Sequence, residues 1–127
     1  MSSKHVGSNL VMQGVDVQLD VIPRASAPPG SQGAVSPAFA SNAFTGVALF
    51  HGNGHWNLNL THPAINAGSR VVVSASEYAT QWNIDRFIGA APVQVLNVSP
   101  HNGGVWVWLQ VSWNSPLNIA ITVFVEP

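Results

Sequence analysis

Cysteine is absent from the chain, which excludes disulfides, thiolate metal sites and thiol nucleophiles. Charge is scarce as well. Asp, Glu, Lys and Arg make up 7% of the 127 residues, against about 25% in an average globular protein. Four basic residues against five acidic ones leave no stripe that could neutralise phosphates, so no nucleic-acid partner is expected. The same scarcity argues against a polybasic membrane-surface helix. No apolar run reaches the ~18 residues of a spanning helix, and no membrane insertion is expected. The opening MSSKHVGSNL has no apolar core of a leader. It predicts no signal peptide and a chain made as a cytoplasmic protein, any extracellular role being reached by another release route. A helical period is missing throughout.

What is present is apolar and amide-rich. Apolar residues account for 46% of the chain, and eleven are Asn. A neutral surface dense in hydrogen-bonding groups has little colloidal repulsion, which predicts self-association into a homo-oligomer. Alternation of apolar and polar residues recurs almost everywhere. VDVQLDV (15–21) sets Val15, Val17, Leu19 and Val21 against Asp16, Gln18 and Asp20. FTGVALFHGNGHWNLNLT (44–61) predicts a hairpin around Asn53-Gly54, a dipeptide that tolerates tight turns. RVVVSAS (70–76) is a strand, and EYATQWNIDRFIGAA (77–91) is either a bent strand or a helical turn followed by a strand. PVQVLNVSPHNGGVWVWLQVSW (92–113) predicts a second hairpin. IAITVFVE (119–126) is expected beside it as a third antiparallel strand, because its linker is short.

These elements predict a single domain over residues 1–127, all-β, an antiparallel β-sandwich of jelly-roll-like form with seven to eight short strands. A long Pro/Ala/Ser/Gly-rich loop at 23–43 interrupts it, with a composition suited to an arm that wraps a neighbouring subunit.

Chemistry-bearing groups are few. His51, His55 and His62 surround the first turn and invite a metal-site interpretation. No carboxylate lies near them in sequence as a further ligand, so they are weighed as turn-flanking polar groups, with neither a metal nor a cofactor assigned. Asp16 and Asp20 share a strand face but stand four residues apart, roughly 13 Å, too far for a glycosidase carboxyl pair. No Ser sits in a nucleophile elbow, and no catalytic residue is assigned.

The remaining constellation is aromatic plus amide. The chain has five Trp, and three are followed at once by Asn: Trp56-Asn57, Trp82-Asn83 and Trp113-Asn114. An indole offers an apolar face and an N–H donor, which suits amphipathic ligands such as sugars. Trp56 and Trp113 share faces with aliphatic residues and are expected in the core. Trp106 and Trp108 share the face opposite Val105, Val107, Leu109 and Val111, and are expected to be covered by a subunit neighbour. Trp82, Asn83, Asp85 and Arg86, with the turn residues His101 and Asn102, form the expected ligand site, Arg86 and Asp85 acting as a polar clamp. His51, Asn53 and His55 form a second candidate patch.

Trp-ended alternating strands in a short chain without Cys resemble, as a class, small microbial or fungal lectins and phage tail or capsid jelly rolls. No signature motif of a lectin family stands in the sequence. The expected function is a lectin-like protein, not an enzyme, that binds neutral glycans with an oligomer's avidity. A self-assembling capsid, tail or shell subunit comes second, and a His-based metal protein or small enzyme third.

Overall fold

The computed structural model describes residues 13–23 and 42–127. Among these residues the protein is all-β, with nine strands and no helix. The strands are β1 (Gln13–Gln18), β2 (Asp20–Ile22), β3 (Phe44–Gly52), β4 (Gly54–Thr61), β5 (Arg70–Tyr78), β6 (Arg86–Phe87), β7 (Val93–His101), β8 (Gly104–Val111) and β9 (Leu117–Glu126). They form a four-stranded sheet in the order β1-β4-β8-β7 and a five-stranded sheet in the order β2-β3-β9-β5-β6. One of the two curls into a half-barrel. Apart from its two ends, the loop expected at 23–43 lies outside the described residues.

Period-2 alternation builds the core. Leu58 and Leu60 of β4 and Val105, Val107, Leu109 and Val111 of β8 meet Ala48 and Phe50 of β3 and Ile119, Ile121, Val123 and Val125 of β9 in one buried cluster. Every member from β4, β8 and β9 is essentially sealed from water. Burying one such aliphatic side chain contributes about 1.5–3 kcal/mol, so these interleaved rows dominate the stabilisation.

The expected all-antiparallel pairing does not hold, since β1 runs parallel to β4, and four further expectations need correction. First, the strand count is nine, where seven to eight were expected. The stretch 15–21 is not one strand: at Leu19 the chain leaves the four-stranded sheet for the five-stranded one. The Leu19 N–H donates to the Thr61 carbonyl at 3.0 Å and its side chain enters the core. Gly46 permits this crossing, since a Cβ there would lie 3.3 Å from the Asp20 carbonyl oxygen. Val15 and Val21, which alternation places on one face with Leu19, are 38% and 48% exposed. The two-residue β6 is the other addition.

Second, residues 44–61 are not a hairpin. β3 pairs with β2 and β9, whereas β4 pairs with β1 and β8. Residues 52–54 arch over the end of the core, where Phe50 and Trp56, one from each sheet, meet edge to face at 5.0 Å. Gly54 adopts φ 89° at the arch, and a Cβ on Gly52 would strike the Phe50 ring at 2.7 Å. Both flanks need the same core, which an arch provides and a flat hairpin does not.

Third, β9 does not extend the β7–β8 hairpin but lies between β3 and β5. The 112–116 linker crosses between sheets, held by the Asn53 side-chain amide, which donates to the Trp113 carbonyl at 2.9 Å. Fourth, Trp113 is not core: β8 ends at Val111, and the indole is 43% exposed beyond it. The β7–β8 hairpin itself forms as expected, with Gly103 at φ 99° in its turn.

Candidate functional site

Because β8 faces the core with Val105, Val107, Leu109 and Val111, it must turn Trp106, Trp108 and Gln110 outward. The strand register supplies their neighbours. Trp106 stands between Asn59 of β4 and Ser99 of β7; Trp108 stands between Asn57 and Asn97; Gln110 stands between His55 and Gln94. Asp16 of β1 follows Asn59 on the far side. The outer face of the four-stranded sheet is therefore two adjacent indoles on its central line, flanked on both sides by amides and hydroxyls. Among the described residues of this face there is no Lys or Arg, and Asp16 is its one carboxylate.

Trp106 is 42% exposed. The His101 ring lies against it at 5.2 Å between centroids, tilted by 33°. His101 is itself fixed by its Nε2–H, which donates to Asn59 Oδ1 at 2.7 Å. That bond leaves the Asn59 amide N–H groups directed elsewhere. His55 similarly flanks Trp108, at 6.2 Å. The Val98 N–H donates to Asn97 Oδ1 at 2.9 Å, again leaving the amide donors without a partner among the described residues. Trp108 Nε1 is shielded from water and has no hydrogen-bond partner among the described residues. A buried orphan donor of this kind costs about 1–3 kcal/mol, and buried polar groups are otherwise paired almost without exception. The face thus offers apolar ring surface and amide donors, while the Trp108 N–H stays beneath it.

The residues expected to bind ligand are not brought together. Trp82, Asn83, Asp85 and Arg86 lie in the segment joining β5 to β7, whereas His101 and Asn102 lie in the β7–β8 turn. Strand pairing puts these segments at opposite ends of the sheets, since Val93 opposes Val111 while His101 opposes Gly104. Asp85 is occupied locally. It accepts hydrogen bonds from the Thr80 hydroxyl and from the backbone N–H groups of Ala79, Thr80 and Gln81. The Thr80 hydroxyl first, then those backbone donors, hold its carboxyl below the ordinary value of 3.8 against an opposing desolvation effect. The Arg86 guanidinium stands 5.8 Å over the Trp82 ring, covering one indole face. Asn102 Oδ1 accepts from the Ala67 N–H at 3.0 Å and pins the 62–69 connection to the hairpin turn. Of the six expected ligand residues, only His101 joins the Trp face.

The histidines also separate. His51 lies on β3, in the five-stranded sheet, with Nδ1 and Asn118 Oδ1 2.8 Å apart. His55 belongs to the four-stranded sheet, and His62 packs on Phe44 at 4.6 Å at the other end. Among the described residues no group of three potential ligands could hold a metal ion. The carboxylates disperse too, Asp16 and Asp20 belonging to different sheets.

Asn57, Asn59, Asn97 and Ser99 are the site residues not anticipated. Their signal was present: in HWNLNLT, Asn57 and Asn59 occupy every second position, out of phase with the buried Leu58 and Leu60. No family model, curated protein or solved structure matches the chain.

Proposed function

We propose that the chain binds neutral carbohydrate through the outer face of the four-stranded sheet, on a jelly-roll-like β-sandwich scaffold. One observation carries this: Trp106 and Trp108 lie side by side on an outward face, each directly between hydrogen-bonding side chains of both neighbouring strands. A sugar ring has an apolar C–H face and a rim of hydroxyls. The indoles match the face and the flanking amides match the rim. The absence of Lys and Arg from the described face suits an uncharged ligand rather than an anionic one. Self-association of copies through surfaces elsewhere on the molecule would align several such faces and convert weak single-site affinity into avidity.

The test is a glycan array combined with intrinsic Trp fluorescence titration, on protein of known oligomeric state. Binding to neutral glycans is expected, with loss on Trp106→Ala and retention on Asn102→Asp. Silence across neutral glycans would end the proposal. A second possibility, assembly of copies through the same face, is favoured by the exposure of the Trp106 ring, since adjacent exposed indoles are a liability in a monomer. In that case light scattering would show assemblies that Trp106→Ala disperses and that sugars do not affect.

A further inference from the structure

We infer that the ligand is an extended, uncharged chain of β-1,4-linked pyranoses lying along β8, an inference that rests on the carbohydrate reading of this face. The geometry bears on ligand shape because the face is a platform built on strands. Trp106 and Trp108 are two residues apart on one strand, roughly 7 Å at normal strand rise. A ligand lying across the strands would meet one indole; a ligand lying along β8 meets both. Along that direction the outward positions Trp106, Trp108 and Gln110 form a track of roughly 14 Å, bordered by Asn59, Asn57 and His55 on one side and Ser99, Asn97 and Gln94 on the other. Gly104 is buried at the His101 end, beneath the His101–Asn59 hydrogen bond, so the track ends at Trp106.

Polar groups on both borders select the sugar. A pyranose lying flat on an indole directs its equatorial hydroxyls toward both borders, whereas an axial group on the stacked side would lift the ring from the indole. Successive residues of a β-1,4-linked chain are turned by about half a revolution, so equivalent hydroxyls alternate between the two sides. The in-register pairs Asn59/Ser99 and Asn57/Asn97 present hydrogen-bonding groups on both sides of successive indoles. An α-1,4-linked chain curls and leaves a flat platform after about one contact. A shallow platform also holds any single ring weakly, so affinity must accumulate over several residues of one ligand.

Isothermal titration calorimetry with glucose, cellobiose, cellohexaose, chitohexaose and maltohexaose tests this. Affinity is expected to rise at least tenfold from cellobiose to cellohexaose, or for chitohexaose over cellobiose. Maltohexaose, the same sugar in α-1,4 linkage, is expected to bind at least tenfold more weakly than the tighter of the two β-linked hexamers. Trp106→Ala should lower that hexamer's affinity at least tenfold, whereas Trp113→Ala should change it less than twofold; Trp106→Phe, a milder change, should retain part of the binding. Equal affinity for maltohexaose, or full affinity for glucose, overturns the chain inference and leaves carbohydrate binding intact. Trp106-dependent binding on the glycan array to other sugars only, with none of these hexamers, has the same consequence. No binding to any glycan overturns both.

Discussion

Trp108 allows the candidate face to be probed through stability alone, before any ligand is known. Its Nε1–H is buried and has no partner among the described residues, a cost of about 1–3 kcal/mol in the free protein. Phe at this position keeps an aromatic ring and removes the donor. The smaller ring forfeits on the order of 50 Å² of apolar surface. Trp108 is half-buried, so about half of that area matters, or ~0.6 kcal/mol at ~25 cal/mol per Å². The balance places Trp108→Phe between no change and a stabilisation of about 2 kcal/mol. In urea this moves the unfolding midpoint upward by as much as ~2 M, for a typical slope of about 1–3 kcal/mol/M. Trp56→Phe is the matched control. The Trp56 indole N–H donates to the Asn53 carbonyl at 2.7 Å, so the same substitution removes a made hydrogen bond and destabilises by about 1–3 kcal/mol. Equilibrium urea denaturation followed by far-ultraviolet circular dichroism compares the two. A Trp108→Phe variant destabilised by more than about 1 kcal/mol would refute the orphan-donor assignment.

Other outcomes follow from the same geometry. Ile121→Ala opens a cavity in a sealed part of the core and should destabilise by about 2–5 kcal/mol in the same denaturation assay. Gly104→Ala places a Cβ 2.6 Å from the Leu60 carbonyl oxygen; a loss of about 1–3 kcal/mol is expected, with faster amide exchange where β4 meets the β7–β8 turn. Arg70→Ala breaks the Arg70–Glu126 ion pair, whose arginine side chain is 81% exposed. It should cost no more than about 1 kcal/mol, and less in high salt, as thermal melts at two ionic strengths would show. Because the Asp85 carboxyl is held below its ordinary value by the Thr80 hydroxyl and backbone donors, its contribution to stability is present above the unfolded value near 3.8 and is lost as pH falls through the folded one. Amide exchange at residues 79–81 should therefore accelerate as pH drops below ~3.8 relative to a distant reference strand, and Asp85→Asn should remove that pH dependence.

The sequence disclosed strand content well and sheet partnership poorly, for a physical reason. Alternation identifies which side of a strand is buried, so Val105, Val107, Leu109 and Val111 were legible as core and Trp106 and Trp108 as the opposite face. It does not identify the partner strand, because β3, β4 and β9 all carry the same period. Asn53-Gly54 accordingly read as a hairpin turn, although a Gly-bounded joint serves equally for an arch between sheets when Phe50 and Trp56 share one core. The site was legible in part. The Trp pair could be placed on one face from spacing alone, but its amide borders come from β4 and β7, whose register with β8 is a property of the folded sheet. Asp85 and Arg86 stand out in the sequence because charge is rare in this chain, and Trp82 because its indole suits an amphipathic ligand. In the fold, Asp85 caps the backbone of its own loop and Arg86 lies over Trp82.

The central claim is that neutral glycan meets the outer face of the four-stranded sheet. Titration of isotope-labelled protein with cellohexaose and chitohexaose, following the indole and side-chain amide signals by NMR, tests it residue by residue. The expected result is saturable movement of the Trp106 and Trp108 indoles and of the Asn57, Asn59 and Asn97 amides, with Trp56, Trp82 and Trp113 unmoved. Movement centred on Trp82 and Arg86, with the Trp106 and Trp108 signals still, would contradict it.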